Sequence, residues 1–173
     1  MNIFVVNRNP KIAAQNLCDK HIVKMPLESA QILCNVAHRY GYSNIPYRPV
    51  STKHPCVLWA GETEGNWEWL VIHGLELCRE YTKRYGKRHK SQDVIEWALS
   101  TPASPPAGEL QPFVMAMPEQ YKGENAVKAY RRYYLGEKVS FATWKAPAKP
   151  PQWWIEGINQ INSDLLPEVP VAV

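Results

Sequence analysis

CDKHIVKMPLESAQILCNVAHRY, residues 18–40, is the stretch whose reading decides the fold. Ile22, Val23, Leu27, Ala30, Leu33, Val36, Ala37 and Tyr40 recur at helical spacing and predict a helix over 19–40. Pro26 interrupts it. An interior proline removes a backbone hydrogen bond, so a kink or break is expected there. Gly41 is a natural stop. His21, Lys24 and Glu28 stand at i, i+3 and i+7 and share a face opposite the apolar one. Asp19, at the helix start, is placed to cap the helix or to orient the histidine. One reading of this face is an acid/base set: an imidazole that titrates near neutrality, a carboxylate, and a lysine for phosphate. The other is a solvated face with a Lys24–Glu28 pair. A proline costs about 3 kcal/mol inside a helix, and its place beside the polar cluster suggests a shaped site.

Outward from this helix, the remaining elements follow the same period. Residues 2–6 (NIFVV) predict a short strand or a buried extended lead-in. Asn9-Pro10 reads as a cap and first helical residue for a short helix over 10–17. A long helical region is expected from His54 to Tyr85, bent or broken near Gly61 and Gly65 and ended by Gly86. Shorter helices are expected over 91–99 and 125–138. Residues 101–112 form a Pro/Gly/Ala loop, and 146–151 a proline linker. The expected fold is therefore mainly α: one domain of long packed helices over 1–154, with a tail over 155–173 that holds a short helix at most.

Composition narrows the function. The chain of 173 residues suits one core, and 45% hydrophobic with 21% charged residues is ordinary for a globular protein. No apolar run is long enough for a membrane span, and the first residues lack the features of a signal peptide, so the cytosol is the expected compartment. Cys18, Cys34, Cys56 and Cys78 lie far apart in helix-like segments with no CxxC pair, so reduced buried thiols are expected and no metal. A net charge of +4 permits phosphate binding without demanding it. Basic residues crowd 79–90 and 128–149. The first cluster reads as a solvated helix face. In the second, Tyr130, Tyr133, Tyr134, Phe141, Trp144, Trp153 and Trp154 interleave with Arg131, Arg132, Lys138, Lys145 and Lys149. Aromatic rings stack on bases while cations meet phosphates, although packed aromatics with snorkelling cations would read the same way. His54, before a proline at a helix start, is placed either to help bind an anion or simply to cap.

Asp19-Lys20-His21 followed by Glu28, the segment STKHPCVLWAGETEGNWEWLVIHGLELCREYTKRYG (51–86) and AYRRYYLGEK (129–138) resemble, in this order, the pyrimidine-dimer DNA glycosylases of the phage endonuclease V type. The CDKH, HPC and AYRxYY stretches are also similar to uncharacterised tailed-phage proteins. The resemblance implies a single helical domain. It places Glu28 at the family's essential glutamate, which stabilises developing positive charge and assists lyase chemistry, and His21 at its active-site histidine. The family's flanking arginines are absent: Leu27 and Gln31 stand nearby. The family's nucleophile is the α-amine of an N-terminal threonine. Here the chain begins Met1-Asn2, the bulk of asparagine predicts that methionine is retained, and by offset Asn7 takes the nucleophile's place. Asparagine forms no Schiff base, so a hydrolytic route is expected in which Glu28 activates water.

The expected function is glycosylase-like cleavage of an N-glycosidic bond in DNA or a nucleotide. Glu28, His21 and Asp19 would be catalytic. Lys24, Arg131, Lys138 and Lys145 would hold phosphate, Tyr134 and Trp144 would stack the base, and His54 would join the ligand site, without cofactor or metal. The alternatives are a non-catalytic protein that sequesters a nucleotide-derived signal from a host defence, and a structural protein with a solvated polar face.

Overall fold

Helix caps written into the sequence set the framework of the computed structural model, which describes residues 1–101 and 105–164. Asn9 accepts from the amides of Lys11 and Ile12 and starts α1 (Pro10–Asn16). α2 runs from Asp19 to Arg39 and passes through Pro26 without a break. His54 caps α3 (Pro55–Ala60), and Thr63 caps α4 (Glu64–Tyr85). The expected break between them falls at Gly61–Thr63, and Gly86 ends α4 in the left-handed conformation, φ 66°. α5 (Gln92–Ser100) and α6 (Ala126–Glu137) occupy their expected places. α7 (Gln152–Asp164) is longer than expected and crosses the anticipated boundary at residue 154. Its side chains explain the length: Trp154 is buried beneath the aromatic cluster, and Gly157 lets the helix close on Leu135 of α6.

The fold is all-helical, with no strand among the described residues; residues 2–6 are a buried lead-in that turns at Phe4 instead of running extended. α2 and α4 form the centre, with α1 packed on α4, α3 on α2, and α5 across both. α2 is buried on more sides than an amphipathic surface helix. Met25, Ile32 and Cys34 join the core, whereas Val23 and Leu27, expected within the apolar stripe, face outward at 47% and 41% exposure. His21 and Glu28, on the expected polar face, are buried at 7% and 8%. The four cysteines are free and buried. Among the described residues, no helix is long and apolar enough to cross a membrane.

The start of α4 is locked to the loop before α6. Glu64 N–H donates to the Pro106 carbonyl and Gly65 N–H to the Gly108 carbonyl, each at 2.9 Å. A Cβ on Gly65 would strike the backbone of Glu109 and Leu110, which cannot swing aside as a side chain would. Gly65→Ala should therefore lower stability by roughly 1–3 kcal/mol, read as a fall in the urea midpoint at unchanged slope.

Candidate active site

α2, the lead-in and the end of α6 enclose a cavity of about 230 Å³ lined by Met1, Asn2, Phe4, His21, Lys24, Met25, Glu28, Tyr133 and Lys138. Glu28 is its acidic centre. Oε2 accepts from the Asn2 amide at 2.8 Å and lies 4.0 Å from the Met1 ammonium; Oε1 pairs with Lys24 Nζ at 3.2 Å. Sequence offset put Asn7 here. Instead, Asn7 serves a turn, accepting from Asn9 N–H at 2.9 Å, and residues 1 and 2 bring their nitrogens to the carboxylate.

Asn2 explains how the lead-in arrives in this position. Its side-chain oxygen accepts from the amides of Ile3 (2.7 Å) and Phe4 (3.1 Å), while its Nδ2 donates to the Ala116 carbonyl at 2.7 Å. Such a side-chain turn is what a short amide offers the backbone. Phe4 then takes φ 43°, a strained conformation for a residue with a bulky side chain. The strain is held in place by packing: the Phe4 ring stacks on His21 with centroids 4.2 Å apart. Lys138 Nζ lies 4.5 Å from the centroid of the Tyr133 ring across the cavity. Three cations, the Met1 ammonium, Lys24 and Lys138, thus face one carboxylate, an excess that suits a phosphate-bearing ligand.

His21 is neutral at physiological pH. Burial, reinforced by the charges of Lys138 and Lys24, lowers its pKa to about 3. A protonated imidazole that donates its proton as a general acid is therefore ruled out near neutrality, and a neutral hydrogen-bond donor or acceptor remains.

Several expected site residues lie elsewhere. Asp19 does not touch His21. Its carboxylate accepts from Arg84 (3.1 Å), the Thr143 hydroxyl (3.0 Å) and the Lys145 amide (2.9 Å), so it ties a loop to the helices. Tyr134 is fully buried and cannot stack a base; its hydroxyl lies 2.5 Å from His21 Nδ1. Trp144 packs on Trp154 and donates to the Asn16 carbonyl. Arg131 donates to the Val6 carbonyl and covers Trp153, which fixes the lead-in from behind. Lys145 lies over Tyr85. The Nδ1 of His54 accepts from Cys56 N–H at 3.1 Å as a cap. Its pKa is lowered by burial and then by the chain-start ammonium, with Glu28 opposing, so it stands near the cavity without lining it. Met1, Asn2, Phe4, Met25 and Tyr133 were missing from the expected set.

A model of the family described as pyrimidine dimer DNA glycosylase matches residues 1–93. The chain belongs to this family. No curated protein and no solved structure matches it. The matched segment holds the lead-in, α2 and therefore Glu28, His21 and Lys24; Tyr133 and Lys138 lie beyond it. Membership in a pyrimidine dimer DNA glycosylase family supports a base-handling, glycosylase-like function and implies DNA as the partner. Larger hollows of about 460 and 520 Å³ flank α4, but Glu64 and Glu68 line both, and carboxylates repel a phosphate backbone.

Two buried imidazoles in this glycosylase-family chain make its stability depend on pH. His73 donates from Nδ1 to the Pro10 carbonyl at 3.0 Å, and burial lowers its pKa to about 4. In the unfolded chain both His21 and His73 titrate near 6.5, so below that pH the unfolded state binds more protons. Their contribution is complete above pH 6.5 and is lost as pH falls from there, the loss being finished once the folded values of about 3 and 4 are passed. The melting temperature should be nearly level between about pH 8 and 7 and fall below about pH 6. His73→Gln should flatten that fall. An unchanged slope in the variant would remove His73 as a cause.

Proposed function

We propose that this protein excises a base from DNA, with the amine at the start of the chain as nucleophile and Glu28 as its proton acceptor. The observation that carries this reading is the meeting of the residue 1 and residue 2 nitrogens at the Glu28 carboxylate, 4.0 and 2.8 Å away, inside a cationic cavity. Either nitrogen is then in place as a terminal amine, Met1 if methionine is retained and Asn2 if it is removed.

The amine, deprotonated by Glu28, attacks the sugar C1′. The C1′–N bond breaks, and the base departs with the bonding electrons and takes up the proton that Glu28 drew from the amine. Glu28, freed by handing its first proton to the base, takes one of the two protons of the bound nitrogen and passes it to O4′ as the C1′–O4′ bond opens, leaving a protonated imine, C1′=N–H⁺. Removal of a C2′ proton then expels the 3′ phosphate. Lys24 and Lys138 balance phosphate charge, and Tyr133 and Phe4 supply ring faces for the sugar and base. A cavity of about 230 Å³ fits one base or its sugar and falls short of the roughly 300–1,000 Å³ of pockets that enclose whole ligands. That size argues against sequestering an entire signalling nucleotide.

Borohydride trapping tests the mechanism. A duplex with a pyrimidine dimer or an abasic site should yield a covalent adduct, and peptide mass mapping should place it on the first residue. Base release without an adduct would leave Glu28 activating water instead. Absence of both release and adduct would defeat the enzymatic reading.

A further inference from the structure

The Tyr134 hydroxyl, deep in the core, faces three polar atoms. It accepts from the Cys18 N–H at 3.2 Å, lies 2.5 Å from His21 Nδ1, and lies 3.4 Å from Cys18 Sγ. A phenol has one proton to give, and an imidazole nitrogen with a free lone pair is a far better acceptor than a thiol sulfur. It is also the nearer of the two. The phenolic proton therefore belongs to Nδ1. A ring nitrogen that accepts carries no proton, so the proton of the neutral imidazole sits on Nε2. The ring cannot turn over easily, because Phe4 stacks on it at an interplanar angle of 17° and Phe141 meets it edge-on at 5.9 Å. With Nδ1 directed into the core, Nε2 is left for the cavity that His21 lines.

We propose that Tyr134 is a positioning residue that holds His21 as the Nε2–H tautomer, so that a neutral N–H faces the carbonyl oxygen of the departing base. The use of that donor rests on the base-excision reading above; the tautomer does not. As the glycosidic bond breaks, negative charge grows on the base, and a fixed N–H stabilises it without giving up its proton. Lys24, Lys138, Glu28 and the chain-start amine share the cavity, and the imidazole's hydrogen bond goes to Tyr134.

Nitrogen NMR of protein labelled in its histidines tests this directly, with His21→Gln to assign the signal. The wild type should show an unprotonated Nδ1 and a protonated Nε2 at His21; the reverse pattern would overturn the proposal. Cys18→Ala removes the competing sulfur and should leave the pattern as in the wild type. A shift of the proton to Nδ1 in that variant would overturn the proposal as well. In Tyr134→Phe the two tautomers should mix, and base release at saturating DNA should fall about tenfold or more with little change in KM. A Tyr134→Phe protein that keeps the wild-type pattern would show that the hydroxyl does not select the tautomer. The spectra need no turnover, so failure of the excision reading and failure of the tautomer are told apart.

Discussion

Glu28→Gln should reduce base release by roughly 10²–10⁴-fold while leaving DNA binding intact or slightly stronger. The amide oxygen still accepts from the Asn2 N–H, so the lead-in stays in place. What disappears is the ability to take a proton from the amine and to neutralise the charge that builds on the sugar. The cavity also loses its one carboxylate and keeps three cations, which favours phosphate. Single-turnover cleavage together with a binding isotherm at fixed salt separates the two effects. Equal cleavage by the variant would remove Glu28 from the chemistry under either the amine or the water route.

The largest loss of stability is expected at Arg84. This guanidinium has no solvent exposure in its side chain and serves four partners: Glu80 (3.3 Å), Asp19 (3.1 Å) and the carbonyls of Leu17 (2.9 Å) and Gln15 (3.1 Å). Those carbonyls end α1, where a helix leaves acceptors without partners of its own. Arg84→Met should cost about 3–5 kcal/mol, because the buried Glu80 and the Asp19 carboxylate lose their compensation. At 2–4 °C per kcal/mol for a chain of this size, the melting temperature should drop by roughly 6–20 °C. Arg84→Lys should recover only part of this, since an ammonium lacks the planar fork that reaches four acceptors. A drop of less than about 1 kcal/mol in urea denaturation would show that the cluster gives little net stability.

Much of the fold was legible because it rests on local signals. Asn9 caps α1, as its place before Pro10 predicts, and Gly86 takes the positive φ that ends α4; the caps Thr63 and Asn125 emerge only in the structure. Glu28, His21 and Lys24 were legible for the same reason, since helical periodicity alone places them on one face. The rest of the site depends on distant meetings that spacing does not encode. Tyr133 and Tyr134 are neighbours in an aromatic run, and one residue on a helix turns a side chain by about 100°. That turn sends Tyr133 to the cavity and Tyr134 to the core. Asp19 precedes His21 by two residues yet points to Arg84, a partner 65 positions away. The nitrogens of residues 1 and 2 reach Glu28 because the lead-in bends at Asn2 and Phe4, and counting residues from a relative assumes that no such bend exists.

The path of the lead-in also has a practical side. Residues 1 and 2 lie in the cavity wall, and Asn2 is buried. An affinity tag fused ahead of Met1 would turn the amine into an ordinary peptide nitrogen and place its own chain at the cavity that Glu28 and Lys24 line. On the proposed amine route, such a preparation should trap no borohydride adduct at its first residue. Assays belong on protein whose first residue has been verified by mass, with any handle removed.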